Sequence, residues 1–271
     1  MLDCMVNGEL SQVVEASDRG LNYGDGLFET IAVEQGRPRY WADHMQRLAS
    51  GCQRLALPMP HQAVLLREAT TVSHGQSRCI VKICLTRGPG ARGYRPSAST
   101  AVNRIVSAHA WPEGIEALWK TGVAARICRM RLALQPALGG IKHLNRLEQV
   151  LASMEWDDPA IHEGILLDTE GYVISAVSAN IFLVSSGTLL TPRMDRCGVR
   201  GILRGRILKA FANRCELRRV TPDMFAEADE VFLASTVRGI LPVCRIDTQT
   251  FPPGPVTRSL QEWLAQDWSN Q

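Results

Sequence analysis

Short apolar runs closed by glycine-containing turns recur through this 271-residue chain, and few long helical patterns interrupt them. Runs of that length favour strands, whereas apolar residues spaced three or four apart favour helices. In the first half the pattern predicts strands at 3–6, 12–15, 27–33, 78–86 and 103–108. Between them, Trp41 to Leu55 places Met45, Leu48, Cys52 and Leu55 on one helical face, and a second helix is expected from His61 to Ser73. Trp111-Pro112-Glu113-Gly114 breaks the pattern and sets an expected domain boundary. Beyond it, strands are predicted at 122–128, on both sides of the Glu170-Gly171 turn, at 180–184, at 188–191 and, last, at 230–234. The fold class that follows is α+β, with one α/β-type domain at 1–112 and a second at 113–271.

A chain of this length buries a large core in one domain or in two. The net charge is only +3 and the basic residues are scattered, which argues against nucleic acid as a partner. Eight cysteines form no Cys-x-x-Cys pair and six histidines complete no zinc pattern, so reduced thiols and no metal are expected. The first residues carry no basic segment leading into a long apolar one, and no later run approaches the length of a membrane span. A soluble, cytoplasmic protein with no membrane segment is the expectation.

Near the midpoint, Gly139-Gly140 delivers Lys142 to the start of a run in which Ile141, Leu144, Leu147, Leu151 and Met154 recur at helical spacing. From Leu144 onwards this reads as a helix with one buried stripe. Lys142 is either a solvated surface lysine or, held against apolar surface, an amine of lowered pKa able to condense with an aldehyde. Arg47 and Arg54 lie off the apolar face of their helix, and each reads as a solvated arginine or as an anion ligand. Gly24-Asp25-Gly26 suits a plain connector or a close backbone approach to a ligand. The glycine-rich loop from Arg87 to Pro96 lacks the Gly-Lys-Ser/Thr ending of a P-loop. Its arginines fit a basic surface loop, or a lid over a small molecule bearing carboxylates. Gly201 at an expected helix start, and Ser235-Thr236 after the final predicted strand, each offer groups that bind phosphate.

In order along nearly the whole chain, several stretches resemble the fold-type IV pyridoxal phosphate enzymes. They are Ser17-Asp18-Arg19 with Tyr23 to Thr30, His44 to Leu48, Arg87-Gly88 with Arg92-Gly93-Tyr94, Ile141 to Val150, Ser178-Ala179-Asn180, and Thr191-Pro192-Arg193 with Gly198 to Arg204. Within that group the lysine stretch and the Arg-Gly-Tyr loop are most similar to the lyases acting on 4-amino-4-deoxychorismate. The resemblance implies that Lys142 is the Schiff-base lysine for pyridoxal 5'-phosphate and Arg47 the main side-chain ligand of its phosphate. It further implies phosphate contacts from Gly201, Ile202, Ser235 and Thr236, a homodimer, and two domains with the cofactor between them. Arg92, Tyr94 and Arg87 are the candidates for the substrate carboxylates, and Thr30 for a place near the reacting centre.

Two positions depart from the aminotransferase pattern. Ser175 stands where many relatives carry a glutamate that keeps the pyridine nitrogen protonated, and Arg146 stands where a tyrosine is frequent. Serine supplies no charge there, which weakens the ring as an electron sink and disfavours transamination more than elimination. The expected activity is therefore a carbon–oxygen lyase releasing 4-aminobenzoate and pyruvate. The alternatives are a branched-chain or D-amino acid aminotransferase of the same fold and a catalytically decayed cofactor-binding protein.

Overall fold

The computed structural model describes residues 3–97 and 101–269. The chain folds as two units, Met1–Pro112 with Ile141–Asn145, and Glu113–Gly140 with Arg146–Gln271. The first contains β1 (Asp3–Val6), β2 (Glu9–Leu10), α1 (Arg19–Tyr23), β3 (Gly26–Glu34), β4 (Arg37–Pro38), α2 (Trp41–Leu55), α3 (Gln62–Val72), β5 (Arg78–Thr86) and β6 (Asn103–Ala110). Its strands form one antiparallel sheet in the order β2-β1-β6-β5-β3-β4.

Alternation decides which face of that sheet is covered. Leu27, Ile31 and Val33 on β3, Val81, Ile83 and Leu85 on β5, and Val106 and Ala108 on β6 are buried. Met45, Leu48 and Cys52 of α2 and Leu65, Ala69 and Val72 of α3 are buried with them. Gly51 lets α2 cross close to β3, since a Cβ there would stand 2.8 Å from Leu27 Cδ1. Each such buried aliphatic side chain contributes about 1.5–3 kcal/mol, so this packing fixes the register of β3.

The second unit contains α4 (Ile115–Thr121), β7 (Val123–Leu132), α5 (Leu147–Ser153), β8 (Glu163–Asp168), β9 (Val173–Ala176), β10 (Asn180–Ser185), β11 (Thr188–Pro192), α6 (Ile202–Ala210), β12 (Cys215–Arg218), β13 (Glu230–Ser235), β14 (Gly239–Ile246), β15 (Gln249–Thr250) and α7 (Pro255–Ser269). Its sheet runs β12-β11-β10-β13-β14-β7-β8-β9, with β15 paired to β14. At its centre Phe182 and Phe232 face each other in register and stack at 4.8 Å with rings 6° from parallel.

Four expectations change. No strand forms at 12–15, where Val13 is exposed and no partner strand lies alongside; β2 takes the pairing with β1 instead. The lysine helix begins at Leu147, because Lys142 to Leu144 is drawn into extended pairing with β3 and so joins the first unit instead of the second. The stripe expected to be buried on that helix is exposed at Leu147, Leu151 and Met154; Ala152 is the residue that enters the core, beside Leu166 and Ile174. The strand at 230–235 is not the last, since β14 follows it with Pro242 opposite Phe232. A proline inside a strand is what hides such an element from pattern reading. Phe232→Ala is expected to cost about 3–5 kcal/mol, seen as a lower urea midpoint with an unchanged m-value.

Candidate active site

Lys142 is placed by backbone bonds. Phe28 N–H donates to Lys142 O at 2.9 Å and Leu144 N–H to Gly26 O at 3.0 Å, with Leu27 opposite His143 in an antiparallel bridge. Side chains of cross-strand neighbours leave on one face, so Lys142 joins Phe28, and its ammonium sits 4.1 Å from the centre of that ring. Thr30, two residues along β3, leaves on the same face, directly across from Lys82; Cys84 lies across from Phe28. The structure thus brings Lys142 and Thr30 to one half-buried sheet face opposite the face covered by α2 and α3.

Glu29 points to the other face, an acid at a position whose neighbours in the pattern are apolar. A buried carboxylate needs charged or hydrogen-bonding partners. Arg47 supplies them with Nε to Oε1 at 2.8 Å and Nη2 to Oε2 at 2.5 Å, and His44 Nδ1 lies 2.6 Å from Oε2. Burial by itself raises the Glu29 pKa, but the Arg47 charge and the bonds from Arg47 and His44 outweigh it and hold the carboxyl at about 2. The guanidinium plane of Arg47, the expected phosphate ligand, is set by Glu29, a residue to which the sequence pattern assigns no role.

Arg87 changes standing. Its Nε donates to Asp25 Oδ2 at 2.7 Å, Nη1 to Ala56 O at 3.0 Å and Nη2 to Leu55 O at 2.7 Å, and the residue is buried. It fastens the end of α2 to the Gly24-Asp25-Gly26 loop, which removes it from the substrate-binding set. Asp25 also accepts from Arg19 Nε at 3.0 Å. Burial raises the Asp25 carboxyl, but the bonds from Arg87 and then Arg19 prevail and hold it below its ordinary value. The other end of Arg19 reaches Gly93 O at 2.8 Å and Tyr94 O at 2.7 Å, while Gly93 N–H donates to the Tyr23 hydroxyl. Arg92 and Tyr94 are exposed, on a loop whose backbone Arg19 holds in place.

The remaining candidates lie in the second unit. Gly201 caps α6 and Ile202 opens it; Ser235 ends β13 and Thr236 follows it. Asn180 joins these two turns: it pairs with Ala234 in the β10–β13 ladder, and its Nδ2 donates to Val199 O at 3.0 Å. A Cβ at Gly201 would stand 1.9 Å from Asn180 Oδ1, so only glycine fits. In the first turn of α6, buried Arg204 bonds neutral acceptors, Thr191 Oγ1 at 3.2 Å and Pro192 O at 2.8 Å. Burial and then the Arg200 charge bring its pKa down to about 10. A buried cation at a helix N-terminus, already the positive end of the dipole, concentrates positive potential where an anion is stabilised. Ser175 is buried on β9 opposite Leu166, and Arg146 precedes α5, its pKa brought down to about 10 by burial despite Glu148. Arg238, three residues beyond Ser235, donates to Glu163 at 2.5 Å and so steadies the turn after β13.

The amino-transferase class IV family model matches residues 26–246, and the chain belongs to that family, with the fold-type IV architecture. Over 263 residues it is 32% identical to an aminodeoxychorismate lyase of Vibrio harveyi, covering 94% of this chain and 97% of the relative. A crystal structure of 4-amino-4-deoxychorismate lyase from Pseudomonas aeruginosa superposes with a TM-score of 0.93 at 43% identity, covering 97% of this chain and 98% of that one. An Escherichia coli branched-chain amino acid aminotransferase shares the fold at TM-score 0.86 and 24% identity, covering 97% and 93%.

Glu29 has a folded pKa below its unfolded value, so its stabilisation is complete above the ordinary glutamate range and lost as pH falls through about 2. The urea stability gap between wild type and Glu29→Gln is expected to narrow by roughly 2 kcal/mol between about pH 6 and pH 3. A gap independent of pH contradicts the assignment.

Proposed function

We propose that this chain is a pyridoxal phosphate-dependent lyase that converts 4-amino-4-deoxychorismate to 4-aminobenzoate and pyruvate. The observation that carries the reading is the place of Lys142, its amine against the Phe28 ring and on one face with Thr30, in a chain similar over 94–97% of its length to lyases of that name. The residues fit the cofactor: the Gly201–Ile202 helix start with its buried Arg204, a cradle that a Cβ would fill, and the hydroxyl-bearing Ser235–Thr236 turn suit a phosphate. Arg47, whose guanidinium is oriented by Glu29, is the side-chain cation that the family resemblance assigns to the phosphate. When bound, the cofactor supplies an electron-withdrawing ring conjugated to the substrate nitrogen.

Lys142, once displaced by the substrate amine, is the base that removes the proton from the ring carbon bearing nitrogen. The carbon–oxygen bond to the enolpyruvyl group then breaks, the ring becomes aromatic, and the proton returns to the departing enol carbon, so no oxidant or reductant is needed. Thr30 stands beside this transfer, and Arg92 and Tyr94 bind substrate carboxylate. Arg146 is assigned to the cofactor's surroundings. Ser175, where many relatives carry an acid, would offer the pyridine nitrogen no charge, which would suit a reaction whose electrons depart with pyruvate better than amino transfer. The protein acts in the cytoplasm as a homodimer; exposed Leu147, Val150 and Leu151, with Met154 just past the helix end, give α5 an apolar face suited to a subunit contact.

Borohydride reduction followed by peptide mapping is expected to fix the cofactor on Lys142, and Lys142→Ala to lower 4-aminobenzoate formation by about 10³-fold or more. Label on another lysine overturns the assignment. Light scattering is expected to report a dimer mass, and charge substitutions at Leu147 and Leu151 a shift to monomer.

A further inference from the structure

A substrate with two carboxylates is one cation short once Arg87 is committed to Asp25 and two carbonyls. The six-stranded sheet holds another. Lys82 stands directly across from Thr30 in the β3–β5 ladder and across from Ser107 on β6, so it leaves on the face that carries Phe28, Thr30 and Lys142. Its ammonium lies 5.5 Å from the centre of the Phe28 ring, and that of Lys142 lies 4.1 Å from the same centre. The two nitrogens are therefore at most about 9.6 Å apart, the sum of those distances. Both charges also reach Cys84, whose pKa burial raises while Lys82 and Lys142 each pull it down. Lys82 is half-buried, and among the described residues no carboxylate pairs with it. A half-buried ammonium with no carboxylate beside it is suited to pair with an anion brought by a ligand.

We propose that Lys82 is a substrate-binding residue whose ammonium takes one of the two carboxylates beside Lys142 and Thr30, leaving Arg92 for the other. The identity of the substrate rests on the lyase reading; the anion site rests on the placement of Lys82. The two products separate the carboxylates, since 4-aminobenzoate carries one and pyruvate the other. Lys82→Met keeps the aliphatic stem against Phe28 and removes the charge, and Lys82→Arg keeps the charge.

The test is calorimetric titration of each product into wild-type, Lys82→Met and Lys82→Arg holoenzyme. Lys82→Met is expected to weaken one product by about tenfold or more and leave the other within about twofold, with Lys82→Arg recovering most of the loss. The substrate KM rises in parallel, with kcat changed less. Borohydride labelling of Lys142 in Lys82→Met shows that the cofactor is in place. Equal weakening of both products, no weakening of either, or no binding of either by wild type overturns the role of Lys82. A wild-type protein that forms no 4-aminobenzoate sinks the lyase reading instead, and the titrations still judge Lys82.

Discussion

Two backbone hydrogen bonds, Phe28 N–H to Lys142 O and Leu144 N–H to Gly26 O, decide what Lys142 is next to. They add a short extended segment to the edge of β3, and the pleat then does the rest. Lys142 must share a face with Phe28, and Phe28 with Thr30, because side chains on a strand alternate. A shift of one residue would send the lysine to the face packed against α2. What prevents that shift is the apolar set Leu27, Ile31 and Val33, which cannot leave the covered face without exposing itself to water.

The same strand carries its polar exceptions with partners already in place. Glu29 sits in the covered face because Arg47 and His44 meet it there, and the bidentate pair fixes a guanidinium plane on α2. Asp25 has a similar part at the start of the strand, accepting from both Arg19 and Arg87 and so joining the end of α2, the glycine loop and the backbone of the Arg92–Tyr94 loop. Asp18 caps α1 and also accepts from Thr86 and Asn103. Carboxylates removed from water are costly when unpaired, and each of these is met by donors. The consequence is that residues near the proposed chemistry are held by charge pairs, while Lys82 has no such anion among the described residues and so is suited to receive one from outside.

Much of the fold was legible because local pattern and burial agree. The helix from Trp41 to Leu55 and the strand from Arg78 to Thr86 end where their apolar periodicity ends. The failures have local reasons too. Pro242 disguises β14, and the apolar residues around Lys142 mimic a buried helical stripe although two of the set, Ile141 and Leu144, lie outside the helix. Among the candidate site residues, spacing alone left Lys142 open between a surface lysine and a reactive amine, and its proposed role and that of Thr30 rest on the family resemblance. Arg87 was misplaced because a loop arginine looks the same whether it faces a ligand or carbonyls of its own chain. Glu29, Asn180 and Lys82 drew no role, since nothing in a linear pattern marks a residue whose importance lies in what stands across from it.

The sequence by itself determined the α+β class, most of the strands and helices, the phosphate-suited turns and the single lysine delivered by a glycine pair, all of which depend on neighbours a few residues away. Only the tertiary structure decided that Lys142 belongs beside β3, that Arg47 is aligned by Glu29, that Arg87 is structural and that Lys82 joins Lys142 at one phenyl ring. Those relations link positions tens of residues apart, and they are set by ladder register and by the desolvation of buried charge, which exist only once the chain has folded.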